Sequence, residues 1–230
     1  MTTIRTLPVH EIVAKTFPRP PPEEKDEIAM AIGTAIDGTL SQFGYQLRLG
    51  RKPSATAMRT LAESLLADAL AEAAVELPPP LREKTLRQIH EVIQAYRGSP
   101  IFGLARPKTR VILIDNQVGI YAQPDYWDGR SRFFEMKSYP AIPPSPEVAL
   151  QLRFFQLAYP KFESLLVCIN RHSTPVETTS AVIPPPSGEE ADAALRLAHT
   201  LGQQFGQEKV IEYMEGPFVR YALPPDHSQH

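Results

Sequence analysis

The apolar positions in the first part of the chain recur at helical spacing. One stripe lies on a single face of a helix that begins after Glu23: Ile28, Ile32, Ile36 and Leu40. Similar stripes predict further helices over 54–77 and 81–97, separated by prolines, which cannot continue a helix. Residues 1–22 end in a proline cluster and show no clear period. We therefore expect an N-terminal arm at 1–22 and a helical part at 23–98.

The second part of the chain changes to short apolar runs bounded by turn residues. These runs predict strands over 110–114, 118–123, 131–138, 163–171, 176–183, 210–214 and 218–223. Ser145 and Pro146 suit the start of a helix that ends at Pro160, and Ser187 opens a capping box for a helix to about residue 205. The order of elements predicts a single α/β domain over 23–230, with a mixed central β-sheet flanked by helices and a sheet core at 108–230.

Composition and charge narrow the class of protein. The single cysteine, Cys168, excludes an intramolecular disulfide, a cysteine-ligated zinc finger and a four-cysteine iron–sulfur cluster. No apolar run reaches the roughly 18 residues of a membrane span, and the first residues do not form a signal peptide. We expect no membrane partner and a cytoplasmic location. The net charge of −2 gives no overall electrostatic signal for nucleic acid.

Two neighbouring strands carry the candidate chemistry. In the predicted strand 131–138, side chains alternate between faces, so Phe133, Glu135 and Lys137 share one face. Asp125 ends the preceding strand of a predicted hairpin and can therefore lie beside Glu135 across the ladder. Two carboxylates side by side repel each other unless a cation lies between them, and oxygen ligands select Mg²⁺ or Mn²⁺. The pattern favours metal-assisted phosphodiester hydrolysis.

This segment resembles the PD-(D/E)XK nuclease superfamily. Pro124-Asp125 matches the first half of its signature, and Glu135-Met136-Lys137 matches the second half. The resemblance implies a restriction-endonuclease-like core in which Asp125, Glu135 and the main-chain carbonyl of Met136 bind the metal. It also implies that Lys137 is catalytic. The expected activity is that of a Mg²⁺- or Mn²⁺-dependent deoxyribonuclease.

Two further matches indicate the RecB-like exonuclease branch of that superfamily. The helix after Ser145 carries Gln151, which the resemblance makes a catalytic residue that positions the lysine or a scissile phosphate. Gln156 with Tyr159 is an alternative placement of this motif. The first helix reads Gly33-Thr-Ala-Ile-Asp37, where Asp37 stands in place of the branch's usual histidine as a metal ligand or outer acceptor. The missing histidine, and Phe155 where tyrosine is usual, depart from the pattern.

The expected partner is DNA, with RNA as an alternative, and the oligomeric state is undetermined. Basic residues near the candidate elements could contact phosphates: Arg48, Arg51, Lys52, Arg59, Arg97, Arg106, Lys108, Arg110, Arg130 and Arg132. These stretches could equally be ordinary solvated loops. A second hypothesis is a catalytically inactive nuclease fold that serves as a DNA-binding or assembly module. Glu135 and Lys137 taken alone could also be a solvated cross-strand pair.

Overall fold

The computed structural model describes residues 3–20, 23–210 and 217–223. Its helices are α1 (Val9–Thr16), α2 (Glu24–Arg48), α3 (Ala55–Glu72), α4 (Pro79–Arg97), α5 (Pro146–Ala158) and α6 (Gly188–Phe205). Its strands are β1 (Thr3–Pro8), β2 (Arg110–Ile114), β3 (Val118–Ala122), β4 (Tyr126–Trp127), β5 (Arg132–Lys137), β6 (Glu163–Asn170), β7 (Glu177–Ile183), β8 (Gln207–Val210) and β9 (Phe218–Tyr221). The chain is an α/β protein, as the order of elements predicts.

The predicted helix starts and the hairpin turn are present. The Ser145 hydroxyl accepts a hydrogen bond from the amide of Val148, and Ser187 forms its capping box with Glu190. The turn between β2 and β3 places Asp115 and Asn116 at positive φ, a conformation that these residue types tolerate. The strand expected over 210–214 falls mostly outside the described residues.

The strands form two sheets instead of the one central sheet that the sequence predicts. One sheet has the order β8-β1-β3-β2-β9, and the other has the order β4-β5-β6-β7. Both are mixed, since β1 with β3, β2 with β9 and β5 with β6 run parallel. Pro124 lies between β3 and β4 and has no amide hydrogen to donate to a ladder. The ladder of β2 and β3 accordingly ends before β4 begins pairing with β5.

The N-terminal segment is part of the fold, in contrast to the separate arm expected for residues 1–22. Strand β1 lies between β3 and β8. Its Ile4 and Leu7 are buried, as is Ile12 of α1. The segment is short and followed by prolines, so its apolar positions span too few residues to show a period.

Strand β5 separates two apolar cores. Phe134 and Met136 belong to the core formed with α2, α3 and α4. Phe133 belongs to the core formed with α1, α5, α6 and the five-stranded sheet. The Glu135 and Lys137 side chains lie on the same face as Phe133, so they point toward α5. Within the described ranges, no helix combines the length and apolar character needed to cross a membrane.

Helix α6 packs very closely on β3 at Gly202. A Cβ atom there would overlap Cγ1 of Val118, which is fully buried. Alanine usually stabilises a helix interior relative to glycine. We expect Gly202→Ala instead to lower the free energy of unfolding by about 1–3 kcal/mol, because the added methyl group overpacks the contact. Urea denaturation followed by circular dichroism measures the change.

Gly188→Ala on the same helix is the matched control. A Cβ at Gly188 meets nothing within 4 Å, so its free energy of unfolding should not fall. If Gly202→Ala is as stable as the parent, the close approach of α6 to β3 is not part of the native packing.

Candidate active site

The pairing of β4 with β5 brings Asp125 to Glu135. Tyr126 lies opposite Phe134, so the next step of this antiparallel register places Asp125 opposite Glu135. The Asp125 carboxylate also accepts a hydrogen bond from the main-chain amide of Met136 at 2.9 Å. This bond fixes the carboxylate at the edge of β5, beside the buried glutamate.

Lys137 forms two hydrogen bonds on the α5 side of β5. Its ammonium Nζ donates to Oε1 of Glu135 at 2.6 Å and to Oε1 of Gln151 at 3.0 Å. The side chains of Glu135 and Lys137 are only 3% and 16% exposed. The pair is therefore not the solvated cross-strand pair considered as an alternative reading of the sequence. Gln151 reaches the lysine because α5, capped at Ser145, presents it to the sheet.

The electrostatics of the pair reflect burial and a nearby like charge. Burial raises the pKa of Glu135, and the carboxylate of Asp125 raises it further, while Lys137 opposes both effects. Burial acts to lower the pKa of Lys137, but the charge and hydrogen bond of Glu135 and the charge of Asp125 outweigh it, so the net shift is upward. The ammonium of Lys137 thus stays protonated at neutral pH.

One buried oxygen of this cluster has no donor. Oε2 of Glu135 is inaccessible to solvent and no N–H or O–H donor of the described residues reaches it, although the Asp125 carboxyl group is close enough to share a proton with Glu135. An unsatisfied buried acceptor costs free energy, and for a charged group the cost is larger. The second oxygen of Glu135, with the carboxylate of Asp125 nearby, therefore forms a ligand pair suited to a hard cation.

Asp37 lies near this pair but is held apart from it by Arg106. The guanidinium of Arg106 is 3.9 Å from Oδ2 of Asp37 and 3.4 Å from Oδ1 of Asp125. Burial, and then the charge of Asp125, raise the pKa of Asp37, although half of its side chain remains accessible. Asp37 belongs to the same electrostatic cluster. Arg106, in a loop before β2, is the site residue that the sequence patterns did not single out from the other basic positions.

The alternative glutamine placement does not reach the site. Gln156 donates its amide hydrogens to the carbonyls of Ile183 and Pro184. Tyr159 donates to the carbonyl of Lys108, again away from the carboxylates. The structure therefore favours Gln151 as the partner of Lys137.

Most of the basic residues singled out in the sequence make structural contacts. Arg59 and Arg132 form ion pairs with Glu63 and Glu163. Arg110 stacks on the ring of Tyr159, with its guanidinium carbon 4.3 Å from the centroid. The two aromatic residues after Asp125 also serve packing, since Tyr126 is buried among the helices and Trp127 contacts Phe162. Of these basic residues, Arg106 forms ion pairs with two candidate metal ligands, Asp37 and Asp125.

A cavity of about 520 Å³ opens beside the site. Gln151 and Arg106 line it, together with His10, Gln123 and Lys209. Because Gln151 contacts Lys137 and Arg106 contacts Asp125, a ligand in this cavity would lie next to both. Two cations in its wall favour an anionic ligand.

The carboxylate oxygens at this site suit a metal ion that is bound by only one or two protein side chains. No cluster of three or more His, Cys, Asp or Glu side chains in the described ranges is arranged to hold a metal ion. Mg²⁺ is commonly bound by one or two carboxylates and completes its shell with water or substrate oxygens. Asp125 and Glu135 match that requirement, and their ligands are oxygens only.

Comparisons with known proteins identify no family. No protein-family model and no curated protein sequence matches the chain. A solved structure described as "Crystal structure of SSO0001" is similar over 88% of this chain and 87% of that chain, at 12% sequence identity and a TM-score of 0.36. Likeness at this level supports no inference about fold or activity.

The pKa of Glu135 should respond to the charges of Asp125 and Lys137. With divalent ions chelated, Asp125→Asn should lower the pKa of Glu135, because a like charge is removed. Lys137→Met should raise the pKa of Glu135, because the stabilising cation is lost. Carbon-13 NMR of the glutamate carboxyl carbons during a pH titration measures both shifts.

Stability should follow the same linkage. The pKa of Glu135 is higher in the folded protein than in the unfolded chain. The free energy of unfolding should therefore fall as the pH rises from the pKa of an ordinary glutamate to the raised pKa of the folded state. That fall should be smaller in Asp125→Asn. Asp128→Asn, in the turn before β5, is the control and should leave the pKa of Glu135 unchanged. An unchanged pKa in Asp125→Asn would show that the two carboxylates do not face each other.

Proposed function

We propose that the protein is a metal-dependent nuclease that hydrolyses phosphodiester bonds of DNA by a PD-(D/E)XK mechanism, on a restriction-endonuclease-like core. The observation that carries the proposal is the buried Oε2 of Glu135, which lacks a donor, beside Asp125 and Lys137. A purely structural ion pair would not need a second carboxylate that raises the pKa of the first.

Asp125, Glu135 and the main-chain carbonyl of Met136 would hold Mg²⁺ or Mn²⁺. Such an ion supplies Lewis-acid polarisation of a phosphodiester oxygen and acidification of bound water. Asp37 would act as an outer acceptor, because Arg106 lies between it and Asp125. This assignment would give a binding partner to the buried Oε2 of Glu135, which no donor of the described residues reaches.

Lys137 would orient the attacking water and stabilise the negative charge that develops on the phosphate. It is suited to this role because its pKa is raised, so it acts as a cation and not as a general base at neutral pH. Gln151 fixes the direction of the ammonium through its 3.0 Å hydrogen bond. Gln151 is therefore a positioning residue for Lys137.

Cations around the site support a polyanionic substrate. Arg106 and Lys209 line the cavity that reaches Gln151. Contacts with phosphates require such local charge even when the net charge of the protein is slightly negative. DNA is the substrate proposed, and an RNA strand of the same sequence serves as a second arm of the assay.

Cleavage should require a divalent ion and Lys137. We expect linear, circular or single-stranded DNA to be cut with Mg²⁺ or Mn²⁺ and not with EDTA. Lys137→Ala should reduce the rate at least about a hundredfold, because it removes the cation at the developing charge. The measurement is gel separation of end-labelled products over time.

Lys161→Ala, at an exposed position before β6, is the control and should cut at the parent rate. A folded Lys137→Ala protein that cuts as fast as the parent would contradict the mechanism. If no variant cuts, calorimetric titration with Mg²⁺ decides between the two hypotheses. An inactive DNA-binding module would show no binding that depends on Asp125 and Glu135.

Gln151 should affect the chemical step more than metal binding. Gln151→Leu removes the acceptor of the Lys137 ammonium, so kcat should fall about tenfold or more while the Mg²⁺ affinity stays near the parent value. Gln151→Glu keeps an acceptor and should recover much of the rate. Gln94→Ala, on the exposed surface of α4, is the control. Equal losses of kcat and Mg²⁺ affinity in Gln151→Leu would place Gln151 in metal binding instead.

A further inference from the structure

A second and larger cavity, of about 910 Å³, lies beside the candidate active site along α2. Its wall includes Ser138 and Tyr139, the two residues that follow Lys137 in the chain. It also includes Gly33, which precedes Asp37 by four residues, or about one helical turn on the same face of α2. The cavity therefore adjoins the chain segments that carry Lys137 and Asp37.

Arg171 supplies this cavity with a buried cation. The residue is only 9% exposed. Its guanidinium donates to the carbonyl of Ala29 at 3.4 Å and to Nε2 of His172 at 3.3 Å. Across the ranges 3–20, 23–210 and 217–223, no carboxylate forms an ion pair with it, and burial lowers its pKa. A buried cation without a counter-ion is costly, so an anion is the ligand that it fits best.

The other arginine of the cavity is already neutralised. Arg19 forms an ion pair with Glu147 at the start of α5, and the hydrogen bond and charge of this carboxylate raise the pKa of Arg19. Asp26 also lines the cavity, and its charge acts on Arg19 as well, so among the described residues Arg171 is the arginine of this cavity without a carboxylate partner. On the α2 side, a Cβ at Gly33 would lie 3.9 Å from Nη1 of Arg171, which is an ordinary van der Waals distance.

Two large apolar side chains line the same cavity as Arg171. Tyr139 and Met30 line the cavity and are 42% and 55% exposed, so both present apolar surface to it. An aromatic ring and a thioether next to an arginine offer a stacking surface for a nucleobase and a donor for its phosphate. A base that is paired and stacked in a duplex cannot enter such a cavity, so the base must be unpaired.

We propose that this cavity binds one unpaired nucleotide of the substrate strand, with its phosphate at Arg171 and its base against Tyr139 and Met30. The inference rests on the proposed nuclease function for the identity of the ligand as nucleic acid. It adds a subsite that would make the enzyme prefer single-stranded DNA or unpaired ends to blunt duplex.

Binding measured without cleavage tests the subsite. The probe is a short single-stranded oligothymidylate, titrated by calorimetry in EDTA, with inorganic phosphate as a second ligand. Arg171→Gln should weaken oligothymidylate binding by roughly tenfold to a hundredfold, because charge-assisted hydrogen bonds to a phosphate are lost. Tyr139→Ala should weaken it by about fivefold or more, because base stacking is lost, and should leave phosphate binding unchanged.

Two further variants keep the test decisive. Arg171→Lys preserves the charge and should retain part of the affinity, whereas Arg82→Gln, on the exposed surface of α4, removes the same net charge and should change nothing. Tyr139 is exposed, so its variant remains informative if Arg171→Gln fails to fold. Parent-like oligothymidylate affinity in Tyr139→Ala and in a folded Arg171 variant would overturn the subsite, as would equal affinity for blunt duplex.

The subsite and the nuclease assignment can fail separately. A protein that cuts DNA with Mg²⁺ but binds oligothymidylate without regard to Arg171 and Tyr139 is a nuclease without this subsite. A protein that binds oligothymidylate through these two residues but never cuts is a single-strand binding module, which retains the subsite and removes the proposed activity.

Discussion

The position of β5 between two cores governs the rest of the candidate site. Phe134 and Met136 are held by the helices on one side, and Phe133 is held by α5 on the other. Because strand side chains alternate, Glu135 and Lys137 must then lie in the low-dielectric region under α5. Charged groups in such a region require partners, and the chain provides a lysine, a glutamine and a second carboxylate for them.

The cluster contains more carboxyl groups than cations. The carboxyl groups are those of Asp37, Asp125 and Glu135, and the cations are Lys137 and Arg106. Each cation contacts different carboxyl groups. Lys137 holds one oxygen of Glu135, whereas Arg106 spans Asp37 and Asp125 on a more exposed side. In the proposed function Asp125 and Glu135 are the side chains that would hold a divalent cation, and Arg106 already contacts Asp125.

The sequence was sufficient for those parts of the structure that follow a local period. The helices α2 to α6 and the alternation of β5 are of this kind. The sequence also predicts that Asp125 lies beside Glu135, but the strand that pairs with β5 is the short β4, which was not predicted, and β3 pairs within the other sheet. Two features depend on contacts between distant segments and could not be predicted. The division of the strands between two sheets follows from pairings such as β1 with β3, and Arg106 reaches the carboxylates from a loop without any repeating pattern.

The placement of β1 has a consequence for how the polypeptide reaches its native state. During synthesis Thr3–Pro8 leaves the ribosome long before its neighbours, since Arg5 pairs opposite Val118 and Thr3 opposite Val210. Contacts among α2, α3 and α4 join nearby segments and can form early, but closing this sheet must await almost the whole chain. Until then β1 offers unpaired edges to other molecules. Nascent chains are therefore most vulnerable to aggregation in the interval between the emergence of β1 and the docking of β8.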